Sequence, residues 1–70
     1  MPRYYFDYLN HPDLCDHIGE ELRNDGAAKQ EAIARALDAK SKHSLVTFKE
    51  ADAVAVRNEA GEQIYKAIIR

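Results

Sequence analysis

Seventy residues, 46% of them hydrophobic and 31% charged at a net charge of -2, give room for one small domain spanning 1–70 and exclude a disordered chain. Cys15, the single cysteine, excludes an internal disulfide and fits a reducing cytoplasm. No apolar run approaches the roughly eighteen residues that cross a bilayer, and no Lys/Arg cluster supplies the counterion release behind non-specific nucleic-acid binding. The opening Met1-Pro2-Arg3-Tyr4-Tyr5-Phe6-Asp7 has no long apolar stretch, which argues against a secretory leader.

From Arg3 to Leu9 a period of two sets Tyr4, Phe6 and Tyr8 against Tyr5, Asp7 and Leu9, as in a strand. Asn10-His11-Pro12-Asp13 is turn chemistry, and Leu14 to Ile18 reads as a short returning strand closed by Gly19 and Glu20-Glu21. Asn24 or Asp25 caps a helix expected from Gly26 to Lys40. Its apolar face joins Ile33, Ala36 and Leu37 and is otherwise mostly alanine, with Glu31, Arg35 and Asp38 opposite. Ser41 to Glu50, with Leu45, Val46 and Phe48, reads as a packed loop. Asp52 to Arg57 alternates again, with Val54 and Val56 on one face. Asn58-Glu59-Ala60-Gly61 turns the chain, and Gln63 to Ile69 returns as a strand apolar on both faces.

The order is β-β-α-β-β, an α+β fold with a small antiparallel sheet and one helix packed on one face. With Tyr4, Phe6, Val54 and Val56 turned to the helix, the opposite face carries Tyr5, Leu9, Ala53 and Ala55, where an exposed sheet normally carries charge. Those four are the candidate interaction surface.

Three segments carry a resemblance: the opening Met1–Asp7, the Asp-x-x-Gly-x-Glu-Leu spacing of Asp16 to Leu22, and Val56-Arg57-Asn58-Glu59-Ala60-Gly61. Together they resemble a family of short uncharacterised proteins common in rhizobia and related soil bacteria. The resemblance implies the strand-helix-strand order and brings no catalytic or binding residue with it. Two departures stand out, Ala51-Asp52 where the family often begins its third long strand with an aromatic residue, and Gln63 where it usually has an apolar one. Either implies a shifted register or a thinner core.

Among chemical constellations, His11, Cys15 and His17 form an incomplete candidate metal set beside Asp13 and Asp16. Structural zinc needs four ligands at tighter spacings, so solvated histidines and a half-buried thiol are the favoured reading. Nucleophilic catalysis by Cys15 is opposed by Asp13, Asp16, Glu20 and Glu21, and a chain this short has little material for a pocket. No enzyme activity and no cofactor are expected. The aromatic residues Tyr4, Tyr5, Phe6 and Tyr8 could stack nucleic-acid bases framed by Arg3, Arg57 and Lys66, but a core role is favoured. Lys40, Lys42 and His43 complement the helix dipole. A non-enzymatic protein-interaction domain is therefore expected, acting as a homodimer or docking on a partner protein through a sheet face or an open strand edge. The alternatives are a nucleic-acid-binding or antitoxin-like module and a metal-binding protein.

Overall fold

A computed structural model describes residues 1–11, 14–42, 48 and 52–69. The elements are β1 (Arg3–Tyr8), β2 (Glu20–Glu21), α1 (Asp25–Lys42), β3 (Ala53–Arg57) and β4 (Gln63–Ile68). They form an antiparallel sheet in the order β2-β1-β3-β4, with α1 packed mainly on β3 and β4. The α+β class and element order are those expected from the chain. The expected features at Pro12, Asp13, His43, Leu45, Val46 and Ala51 lie outside the described residues.

Alternation sets the layers. On β1, Tyr4, Phe6 and Tyr8 are buried toward the helix, and the antiparallel register puts Phe6 opposite Val56 and Tyr8 opposite Val54. The central strand β3 is covered on both faces. On β4, Tyr65 and Ala67 lie opposite Val56 and Val54, so the Tyr65, Ala67, Ile69 set joins the core. Gln63 sits where the ladder shifts by one residue between Val56 and Arg57, so the polar residue marks an irregular register.

The helix runs from Asp25 to Lys42, longer at both ends than expected. Asn24 caps it, its Oδ1 accepting the Ala27 N–H at 2.8 Å, a contact worth ~1 kcal/mol. The buried stripe is Ala28, Ala32, Ala36 and Ala39, while Leu37 is 77% exposed, against the expectation that it shares the core face. Alanine is small enough to bring the helix backbone close to the sheet. The close contact fixes the helix rotation and turns Leu37, about 100° beyond Ala36, outward.

The second strand is displaced from Leu14–Ile18 to Glu20–Glu21. The reason is local: the Phe6 N–H, which a strand at that position would engage, instead donates to the Asp16 carboxylate at 3.1 Å. A side chain substitutes there for a backbone ladder. Pairing resumes only after Gly19, where Tyr4 meets Glu20 and Arg3 meets Glu21.

Candidate functional site

The three segments of the resemblance converge on one polar clasp along β1. Asp16 Oδ1 accepts the N–H groups of Ile18 and Gly19 at 3.0 and 2.9 Å while Oδ2 takes Phe6. In return the Asp16 N–H donates to Asp7 Oδ1. Arg57 grips Asp7 with Nε at 2.6 Å and Nη2 at 3.3 Å, donates from Nη2 to the Asp16 carbonyl, and lies 5.1 Å from the Tyr5 ring centre. Arg3 donates to the Ile18 carbonyl and to Glu21. Asn58 Oδ1 accepts Ala60 and Glu62 N–H, shaping the β3–β4 turn.

Burial alone would push the Asp16 carboxyl up, but the N–H groups of Gly19, Phe6 and Ile18, with the Arg35 charge, outweigh it and hold the group below its ordinary 3.8. A carboxyl depressed in the folded state adds stability above its unfolded value, and that contribution is lost as pH falls through the folded one. The melting temperature should therefore begin to fall as the pH drops past about 4. In Asp16→Asn it should be lower at neutral pH and decline less steeply in acid; an unchanged acid slope would exclude Asp16 as a source of the decline.

Sequence reasoning placed Arg35 on the solvent side of the helix. Its guanidinium instead lies 4.1 Å from the Phe6 ring centre and bridges Glu31 at 2.9 Å and Glu20 at 3.0 Å. The guanidinium lies over the Phe6 ring while its N–H groups hold the two carboxylates. Tyr4 donates its hydroxyl to Asp25 at 2.6 Å, and that bond is the main reason its phenol is pushed up to about 12.

His11, Cys15 and His17 do not converge. His11 Nε2 is 2.6 Å from Asp52 Oδ2, its ring edge meets Phe48, and Asn10 Nδ2 donates to Asp52 Oδ1. Asp52 is 2% exposed, and the Ile69 N–H donates to its backbone carbonyl. Cys15 shares a shallow depression of about 260 Å³ with His11, and both Cys15 and His17 are exposed. Among the described residues, no group of three or more His, Cys, Asp or Glu side chains could hold a metal ion.

Of the four outward residues singled out from the sequence, Ala53 and Ala55 are buried and Tyr5 and Leu9 are half-buried. The exposed apolar surface lies elsewhere. Ile33 and Leu37 of α1 line a groove of about 480 Å³ together with Tyr65, Lys66, Ala67 and Ile68 of β4, with Leu37 77% and Ile68 42% exposed. The strand forming its wall is the last in the sheet order, and among the described residues nothing pairs with its outer side. Sequence reading had the edge among its options; the outward turn of Leu37 was the signal it lacked.

A clasped antiparallel sheet under one alanine-faced helix, with an apolar groove along its last strand, defines a small α+β domain. Residues 3–70 match the family model described as Domain of unknown function (DUF6894), and the chain belongs to that family. No curated protein and no solved structure matches it. Among the described residues, no helix is long and apolar enough to cross a membrane.

Proposed function

We propose that this chain is a non-enzymatic protein-interaction domain that docks another polypeptide along the β4 edge. The observation that carries the reading is the coincidence of an outermost strand, unpaired on its far side among the described residues, with exposed apolar side chains. An open edge presents a row of free N–H and C=O groups, the template that strand addition uses, and neighbouring side chains supply the anchors. The groove is open and shallow, suited to a chain laid along it.

The test is to pan a displayed library of random short peptides on the wild-type chain and on Leu37→Glu. Leu37 is exposed, so the variant should fold with a melting temperature within a few degrees of wild type. Peptides should enrich on the wild type at least about tenfold over the variant, the loss expected for a charge placed on an apolar anchor. Equal enrichment on both would reject the edge as the docking site. Sedimentation across dilution separates the occupants. A species of about 7.9 kDa throughout leaves the edge for another protein, whereas a heavier one dissolved by Leu37→Glu assigns it to a second copy, the homodimer.

A further inference from the structure

We propose that the β4 edge takes an acidic, alternating strand from a partner protein, with apolar side chains toward α1 and carboxylates beside Lys66. This rests on the docking reading above and specifies the chemistry of the occupant. The ladder decides which groups are free. The Ile69 N–H donates to the Asp52 carbonyl, and Val54 lies opposite Ala67, so residues 67 and 69 turn their backbone groups to β3. By alternation Lys66 and Ile68 turn theirs to the open edge.

An added strand would meet two different surfaces. Side chains on its helix-facing side would lie against Ile33, Leu37 and Tyr65; those on its other side would lie beside Lys66 and Ile68. The rim is cationic. Lys29, Ile33 and Leu37 succeed one another at four-residue spacing, Lys40 follows three further on, and Lys29, Lys40 and Lys66 are all exposed.

Among the described residues, no ion pair engages these three lysines and no carboxylate lines the groove. The nearby acids are turned elsewhere. Glu31 is bound to Arg35, Asp38 lies on that same far flank of α1, and Glu62 accepts from Asn58. A second copy fits this edge poorly, because a two-fold pairing of β4 with itself brings both sets of lysines together, and like charges across a strand pair destabilise it.

The test uses the whole chain and two short peptides, one alternating valine with glutamate and its valine–lysine counterpart. The glutamate peptide should bind at least about tenfold more tightly, and more weakly as salt rises. It should shift the amide resonances of Lys66 and Ile68 and slow their exchange. Lys66→Glu, at an exposed site, should keep its fold and reverse the preference. Equal binding of both peptides would leave the docking edge standing and remove its acidic preference. The proposal is overturned if neither peptide binds, if a mixed-sequence single-stranded DNA oligomer binds the edge as tightly as the glutamate peptide, or if the Lys66 and Ile68 amides are already protected in a self-associated form.

Discussion

Gly19→Ala should lower the melting temperature by roughly 12–24 °C, which corresponds to about 3 kcal/mol in a domain of this size. Two causes add. The residue has φ +77°, a left-handed conformation that costs a side-chain-bearing residue roughly 1–2 kcal/mol. A Cβ would also stand 2.8 Å from Arg3 Cγ and 2.9 Å from both the Tyr4 carbonyl oxygen and Tyr5 Cε1. The backbone oxygen cannot give way without moving the β1–β2 pair. Gly61 supplies the control, because it has φ +84° but nothing within 4 Å of its added Cβ. Gly61→Ala should therefore show the conformational cost alone, about 1–2 kcal/mol. Thermal unfolding by circular dichroism of both variants separates the causes, and equal losses would refute the close-approach argument.

The same loop explains what could and could not be read from the chain. Tyr4, Phe6 and Tyr8, and Val54 with Val56, were legible as one face because a strand half-buried on a core carries its burial in a period of two. The start of the helix was legible from Asn24. The second strand was not, because Asp16 takes the Phe6 N–H that a ladder would have used, and propensity does not register such a substitution. For Leu37 the helical period was clear but its phase was not. A face containing Ile33 and Leu37 looks stronger by hydrophobicity than one of four alanines, yet the alanines allow the closer contact with β3 and β4.

Long-range ionic pairing was the other invisible feature. Arg3, Arg57 and Lys66 looked equivalent as cations that might frame a stacking platform. Arg3 and Arg57 are committed to Glu21 and Asp7, and Lys66 alone has no such partner among the described residues. This division makes the sheet's outward face a polar clasp and leaves the lysine on β4, which is why the proposed docking surface is placed along β4 and not at Tyr5, Leu9, Ala53 and Ala55. Only the fold brings Asp7 and Arg57 together, since 50 positions separate them.

The clasp should behave as a coupled unit. Arg57→Ala is expected to cost about 2 kcal/mol, since it removes a two-pronged grip on a carboxylate that is only 16% exposed, a bond to the Asp16 carbonyl and the cover over Tyr5. Asp7→Ala should cost a similar amount, because it strands the guanidinium and also frees the Asp16 N–H. If the pair acts together, the double variant falls short of the sum of the singles by about 1–2 kcal/mol, measured by urea unfolding with an unchanged m-value. Arg57→Lys should recover less than half of the loss, because an ammonium keeps the charge but cannot hold both Asp7 oxygens and the Asp16 carbonyl at once. Strict additivity would mean that Arg57 stabilises β3 by packing on Tyr5 alone. Full recovery by lysine would mean that charge suffices, and the fork geometry that ties β1, β3 and the Asp16 loop together would then contribute nothing.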